Sequence, residues 1–409
     1  MSLASLFLTA VFLATVSFLF LRVYLPRWLA ITVAAIKFTL PVLYFTFVFD
    51  LEGSVSAGGQ VIVAKAPAFT IKDDVTYYLW SRHVLESGYD PLTILFSQDG
   101  MSMLWEPVGG THVFYYWWNL LAQYLFGPYY HSPVLLNVFL TVIVGVYVTK
   151  LLYSLGFSES YSNWFLVFFL LHWDILAWTS VLNLKGTIAM CLAVAYIYHF
   201  FRLDQRSTFS WRAVVFHLSI MTGSLILLWW VRFYIIAVLL ATTSLWLLYR
   251  WVPRYVIPIL GLVGTPVAIL AVQSVPVFTR FWETAVSRLD PVSLPFGLLK
   301  VSLSPRPWGV EPNYLFLEFA AVFHWVAFAA FCYGFARLAL EHKPTRYLFV
   351  FFGLLVVTFA MSTRFQGARQ RYQLVFIIAL CQYHTLRLLI AHATTTTEAG
   401  YPGQWWQNT

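Results

Sequence analysis

The chain has little charge. Only 10% of its 409 residues are Asp, Glu, Lys or Arg, whereas 60% are hydrophobic. A soluble domain of this size needs far more polar residues to cover its surface, so this composition excludes one. Apolar stretches close to the roughly 20 residues that cross a hydrocarbon core recur along the chain. The sequence therefore predicts an all-α polytopic membrane protein.

Several motifs are also absent. No phosphate-binding glycine loop, dinucleotide fingerprint or zinc-binding helix motif occurs, which argues against a nucleotide-driven pump and against a domain for nucleotide-sugars. The net charge of +8 comes from scattered basic residues without the runs typical of nucleic-acid binding. The three cysteines lie in apolar spans without metal-ligand spacing, and we interpret them as packing residues: Cys191, Cys332 and Cys381.

Apolar runs predict about eleven transmembrane helices. They lie at 3–23, 28–49, 131–152, 161–180, 184–202, 212–230, 233–251, 255–273, 314–340, 346–362 and 372–391. The chain thus divides into two N-terminal spans (1–49), a long folded outside loop with interfacial helices (50–130), a bundle (131–273), a second outside loop (274–313), C-terminal spans (314–391) and a cytoplasmic tail predicted to be disordered (392–409).

The segment 112–127 decides the orientation. It is short and heavily aromatic, which favours an interfacial or re-entrant helix over a span. If it does not cross and the 50–130 loop is outside, most basic loop residues fall on the cytoplasmic side, as the positive-inside rule expects. We therefore predict an N-terminus outside the cytoplasm.

The pair Asp73-Asp74 is the best candidate for chemistry in this charge-poor chain. It precedes a helical pattern that ends before Gly88, so one carboxylate can cap that helix. Alternatively, one of them is a general base near the membrane surface. Asp74 is preferred as the base because Asp73 is better placed as the cap. A divalent cation at the pair is possible, but two carboxylates are too few to assume one.

Three further polar residues lie in or near predicted spans. Lys37 falls within the second span, where a lysine can snorkel toward the interface. Asp174 lies near the outer end of its span, and we predict a structural ion pair with Lys185. His112 begins the aromatic segment and could hydrogen-bond a sugar, as Tyr77 could stack on one.

The layout resembles the GT-C superfamily of membrane glycosyltransferases, and within it the bacterial branch related to family 39. The resemblance depends on the acidic pair in a long early outside loop and covers the layout of most of the chain. Glu106, in Trp105-Glu106-Pro107, is the nearest match to a second acidic motif. Three more segments are similar: Asn183-Leu184-Lys185-Gly186, Arg232-Phe233-Tyr234 and Arg369-Gln370-Arg371-Tyr372.

Five cations at the predicted outer span ends agree with this resemblance. They are Lys185, Arg232, Arg364, Arg369 and Arg371. Each could bind lipid headgroups or pair with loop carboxylates. Together they could stabilise a lipid-phosphate leaving group, because Arg offers phosphate a bidentate fork and Lys a point charge.

The resemblance implies an inverting glycosyltransferase at the outer face of the cytoplasmic membrane. Its donor would be a polyprenyl-phosphate-linked sugar, and its acceptor a hydroxyl of a glycan, lipid or protein. An O-antigen or capsule polymerase is the alternative that shares this substrate, with the main role for the second-loop arginines Arg280, Arg288 and Arg306. A transporter or a non-catalytic membrane subunit is a further alternative.

Overall fold

A computed structural model describes residues 2–56, 60–65, 69, 72–105, 112–205, 210–251, 293–310, 312–362 and 367–397. In these ranges the chain is helical apart from an antiparallel hairpin of β1 (Glu52–Val55) and β2 (Val61–Lys65). The helices are α1 (Leu3–Leu21), α2 (Arg27–Phe47), α3 (Lys72–Glu86), α4 (Thr93–Phe96), α5 (Gln98–Trp105), α6 (Val113–Phe126), α7 (His131–Ser154), α8 (Glu159–Leu170), α9 (Trp173–Val181), α10 (Lys185–Asp204), α11 (Trp211–Trp251), α12 (Ser293–Leu303), α13 (Glu318–Glu341), α14 (Arg346–Ser362), α15 (Gly367–Arg371) and α16 (Val375–Thr397). Short 3₁₀ turns occupy Pro312–Leu317, Lys343–Thr345 and Tyr372–Leu374.

Long apolar helices dominate this architecture. In the described ranges, eight helical segments are long and apolar enough to cross a membrane, and α8 with α9 forms a ninth that bends by 45°. The prediction of a helical multi-pass membrane protein is therefore confirmed. The predicted span at 255–273 lies outside the described residues, so the count of eleven stays a prediction.

The break between α8 and α9 determines the position of Lys37. The last carbonyls of α8 lack intrahelical partners because the helix ends there. Lys37 is buried, and its Nζ lies 3.5 Å from the carbonyl oxygen of Leu170. The prediction that Lys37 snorkels to an interface is therefore wrong: its Nζ faces the C-terminal end of α8 inside the bundle.

α11 folds back on itself at Arg232, whose φ and ψ of −158° and 76° are not helical. Near its start, His217 Nδ1 lies 2.6 Å from His199 Nδ1; near its end, Arg250 forms an ion pair with Asp204. His199 and Asp204 are about 7.5 Å apart along α10, whereas residues 217 and 250 of a straight helix would be about 50 Å apart. α11 therefore consists of two antiparallel arms.

We call the upper end of the bundle the end at which α7 and α10 begin and α11 turns back. α7 and α10 begin side by side there, with Asn137 Nδ2 3.4 Å from Asn183 Oδ1. α1 begins at the same end, because Ser5 Oγ lies 3.4 Å from His131 Nε2. The opposite end, where α7 and α10 finish, is the lower end.

α6 lies across the upper end. His112, just before α6, donates from Nδ1 to the Val231 carbonyl at the turn of α11, at 3.0 Å. At the other end of α6, the Phe126 carbonyl accepts from Ser5 Oγ at 2.8 Å. Both ends of α6 thus contact the upper end, and the helix does not pass through the bundle. α3 packs against α6, and together they form a layer on top of the long helices.

Close helix packing joins the C-terminal spans. A Cβ added at Gly334 of α13 would collide with the Cys381 carbonyl of α16. Small residues allow such close approach, and in lipid this packing contributes directly to helix association. α13 and α16 therefore pack with their backbones in close approach.

Candidate active site

The acidic pair lies in the first turn of α3, at the upper end. α3 begins at Lys72, so Asp73 and Asp74 both lie inside the helix rather than at the cap, where the dipole favours negative charge. Gly88, with a φ of +90°, follows the end of the helix as predicted. Consecutive helical positions point about 100° apart, so the two carboxylates face different surroundings.

Asp74 faces the interior. It is fully buried, and the Tyr130 hydroxyl donates to its Oδ2 at 3.0 Å. Burial and the neighbouring Asp74 charge raise the pKa of Tyr130 well above its usual value, so this hydroxyl stays a neutral donor. The Asn183 side chain also donates to the backbone carbonyl of Asp74, at 3.4 Å. Asp74 thus ties α3 to the beginnings of α7 and α10.

A buried amide network supports this contact. Asn183 accepts from the Tyr115 hydroxyl at 2.5 Å and donates to Asn119 at 2.5 Å, while Asn137 donates to the Tyr115 oxygen at 3.1 Å. Buried polar groups cost free energy unless they are paired, so the network fixes α6 on the bundle. Sequence reasoning missed it, although asparagines among apolar residues were an available signal.

Asp73 faces the opposite way, toward α15. Its side chain is 52% exposed, and its Oδ2 lies 3.2 Å from Nη1 of Arg369, which is only 13% exposed. Asp73 and Arg369 are far apart in the sequence, yet both were predicted as site residues. The fold brings them together as an ion pair at the upper end.

A cavity of about 730 Å³ lies beside Arg369. This volume falls within the roughly 300–1,000 Å³ typical of small-molecule sites. Three cations line it, Lys300 of α12, Arg306 and Arg369. The rest of the wall is largely apolar and includes Trp178, Phe296, Leu299, Leu303, Leu317 and Trp325. Such a lining suits a ligand with an anionic head and a hydrocarbon chain.

Lys185 begins α10 and contacts α3. Its Nζ donates to the Tyr77 hydroxyl at 2.6 Å and lies 5.2 Å from the centre of the Tyr77 ring. Both side chains are buried, and burial together with the nearby Asp73 raises the pKa of Tyr77. Positive charge is unfavourable at a helix N-terminus, and the contacts with Tyr77 offset this cost for Lys185.

His112 and Arg232 meet where α6 begins and α11 turns. Burial, and after it the charges of Lys185 and Arg232, lower the pKa of His112 to about 3. His112 is therefore neutral at ordinary pH, and because Nδ1 donates to Val231, its Nε2 is an acceptor. Arg232 donates from Nη1 to the Tyr234 hydroxyl at 2.9 Å, while its buried Nε has no partner among the described residues.

Arg371 does not join His112 and Arg232 at the turn of α11. Its side chain is 4% exposed, its Nη2 lies 3.7 Å from Asp174 Oδ1, and it also donates to the Ser304 carbonyl. The predicted pairing of Asp174 with Lys185 is therefore wrong, because the break before α9 turns Asp174 toward Arg371 and His324. Arg371 is not among the residues that line the cavity.

Tyr372 packs between α15 and α10. Its hydroxyl lies 3.0 Å from Thr187 Oγ1, and its ring would meet a Cβ added at Gly186 at 3.2 Å. Tyr372 thus links the arginine segment to the first turn of α10, which carries Lys185. Glu106 and Arg364, the other two predicted site residues, lie outside the described residues.

The charges that line the cavity are unbalanced. In the described part of the chain its lining includes the cations Lys300, Arg306 and Arg369 and no carboxylate. No group of three or more His, Cys, Asp or Glu side chains in those ranges could hold a metal ion. The surplus of positive charge favours an anionic ligand.

No protein-family model, curated protein or solved structure matches the chain. The resemblance to GT-C glycosyltransferases therefore depends on the layout and the short motifs alone.

Proposed function

We propose that the chain is a glycosyltransferase of the cytoplasmic membrane. It transfers a sugar from a polyprenyl-phosphate-linked donor to an acceptor hydroxyl at the outer face. The observation that carries this proposal is the Asp73–Arg369 pair beside a cavity with a cationic and apolar lining. A carboxylate that can take a proton thus lies next to a site suited to a lipid phosphate.

The reaction is a single displacement that inverts the anomeric carbon. The acceptor oxygen forms a bond to that carbon while its proton passes to an aspartate. The bond from the anomeric carbon to the phosphate oxygen breaks, and its electron pair remains on the lipid phosphate. Arg369, Lys300 and Arg306 stabilise the charge that develops on this leaving group. The hydrocarbon chain of the donor contacts the apolar wall.

Within this proposal, Asp73 takes the role of base. It is half exposed and contacts Arg369, which lines the cavity, whereas Asp74 is fully buried and is bound by Tyr130. A base must reach the proton that it removes. Asp73 therefore replaces Asp74, which the sequence favoured, as the proposed base. Asp74 instead fixes the position of α3.

The orientation follows from the distribution of basic residues. The lower end carries Lys150, Arg202, Arg212, Arg250, Arg337, Lys343 and Arg346. By the positive-inside rule this end is cytoplasmic, so the upper end and its site face outward. Counting both arms of α11, the bent α8–α9 pair and the predicted span at 255–273 with the other seven segments gives the proposed eleven spans.

The test is sugar transfer from a panel of polyprenyl-phosphate sugars by the detergent-purified chain. We expect Asp73→Asn to abolish transfer while donor binding persists. Asp50→Asn is the matched control, because Asp50 forms an exposed ion pair with Lys65 away from the cavity. Full activity of Asp73→Asn and of Asp74→Asn would remove the acidic pair from the mechanism.

Two alternatives have specific support. Arg306 of the second outside loop lines the cavity, as the polymerase alternative requires, whereas Arg280 and Arg288 lie outside the described residues. The bent α8–α9 pair with buried Asp174 at its break resembles the discontinuous helices of transporters. Transfer that survives loss of both aspartates favours the polymerase, and ligand movement without transfer favours the transporter.

A further inference from the structure

Arg369 lies between two possible partners for its charge. Nη1 contacts Asp73 on one side, and the guanidinium lines the cavity on the other. Its Nε is buried and has no hydrogen-bond partner among the described residues. The guanidinium therefore has donor capacity left that Asp73 does not use.

We propose that Arg369 exchanges Asp73 for the phosphate of a lipid that enters the cavity. In the structure, Arg369 holds Asp73 as a counter-ion. A phosphate can take the fork of an arginine through two parallel hydrogen bonds, whereas Asp73 accepts a single one at 3.2 Å. Lys300 and Arg306 line the same cavity and attract the same phosphate.

Because the Asp73 side chain is half exposed, its release from Arg369 costs little free energy. After Arg369 leaves, water can solvate the released carboxylate, because 52% of its side chain is accessible. A fully buried carboxylate such as Asp74 would lose far more on release. The exchange thus requires an exposed acid beside a mostly buried arginine, which is the arrangement found here.

This inference deepens the proposed function and rests on it for its catalytic consequence. Asp73 is held against Arg369 until a donor is present and can turn toward the acceptor hydroxyl only afterwards. The donor must then bind before the acceptor can react. The contact is autoinhibitory and couples the base to occupation of the donor site.

The test measures binding of farnesyl monophosphate to the full chain in maltoside micelles, which contain no phosphate. Farnesol probes binding of the hydrocarbon chain alone, and inorganic phosphate probes binding of the anion alone. Phosphatidylglycerol probes binding of an ordinary lipid headgroup. The variants are Asp73→Asn and Arg369→Gln. Asp50→Asn is the matched control, because it removes a carboxylate from an exposed ion pair elsewhere.

We expect Asp73→Asn to bind farnesyl monophosphate about two- to fivefold more tightly, the range that corresponds to release of a weak ion pair. Arg369→Gln should weaken binding, and Asp50→Asn should leave it unchanged. Tighter binding for Asp73→Asn with phosphatidylglycerol alone would make bilayer lipid the competitor and overturn the donor assignment. The proposal would also be overturned if Asp73→Asn bound farnesyl monophosphate no more tightly than the wild type does. The same holds if farnesol bound as tightly as farnesyl monophosphate, or if farnesyl monophosphate did not bind.

The outcomes separate this inference from the proposed function. If Asp73→Asn binds more tightly but no donor supports sugar transfer by the wild type, the exchange holds and the glycosyltransferase proposal fails. If transfer depends on Asp73 but binding does not respond to its loss, the glycosyltransferase proposal holds and the exchange fails.

Discussion

Arg369 and Arg371 are two residues apart, but their substitution should have opposite consequences. Arg371 and Asp174 are each 4% exposed, and Arg371 also binds the Ser304 carbonyl. Loss of one partner leaves the other charge buried, which costs about 3–5 kcal/mol. Arg369→Gln instead breaks a pair whose carboxylate is 52% exposed, which costs less than about 1 kcal/mol.

Activity should show the reverse order. In the proposed reaction Arg369→Gln removes a donor to the leaving phosphate, and removal of one such donor typically lowers the rate on the order of 10²-fold. Arg371→Gln should lower activity only in proportion to the folded protein that remains. The assay combines equilibrium unfolding in mixed detergent micelles with transfer measured on the folded fraction.

A double variant tests the buried pair itself. Replacing both charges of a buried pair by apolar residues costs less than removing one. We therefore expect Asp174→Leu with Arg371→Met to be more stable than either single variant. An Arg371→Gln protein that is as stable as the wild type but inactive would refute the reasoning and return Arg371 to the phosphate site that the sequence indicated.

Three further predictions concern other contacts. Tyr77→Phe leaves the buried Lys185 Nζ without its 2.6 Å partner and should cost about 1–3 kcal/mol in the same unfolding assay, where no loss would contradict the contact. Gly334→Leu should separate α13 from α16, because its side chain meets the Cys381 carbonyl. Size-exclusion chromatography should show less folded protein than for the control Gly223→Leu, where an added Cβ meets no atom within 4 Å. His112 has a pKa of about 3 in the fold against about 6.5 unfolded, so the unfolded state binds the extra proton between these values. Stability should therefore fall as pH drops from about 6.5 toward 3, and His112→Asn should flatten that slope in pH-dependent unfolding.

The sequence predicted the long helices because their signal is local. A run of about 20 apolar residues is sufficient to indicate a span. Residues 212–251 form one apolar stretch that is too long for a single crossing, and the sequence accordingly divided it near Arg232. The structure turns α11 at that residue. The first turn of α3 and its stop before Gly88 likewise depend on near neighbours.

Partners across the fold could not be predicted in this way. Arg369 and Arg371 of the last motif were equally suitable for binding phosphate as far as the sequence shows. The direction of their side chains depends on how the five residues of α15 sit between α3, α9 and α12, which the sequence does not reveal. Lys300 was only a loop charge in the sequence, yet α12 directs it into the cavity. Asp174 was placed near Lys185 by its position in the span, but the helix break turned it toward Arg371.

The two aspartates of α3, one buried and one exposed, each meet one of two requirements that a single carboxylate could not meet together. A base must be accessible to an incoming hydroxyl, whereas the helix that carries it must be fixed on the bundle. Asp74 fixes α3 through Tyr130, and its neighbour Asp73 contacts Arg369, which lines the cavity. Asp74→Asn keeps a side chain that can still accept the Tyr130 hydrogen bond, so it should retain far more transfer than Asp73→Asn. Equal loss in both variants would show that the two carboxylates act together and that the interior one also takes part in the chemistry.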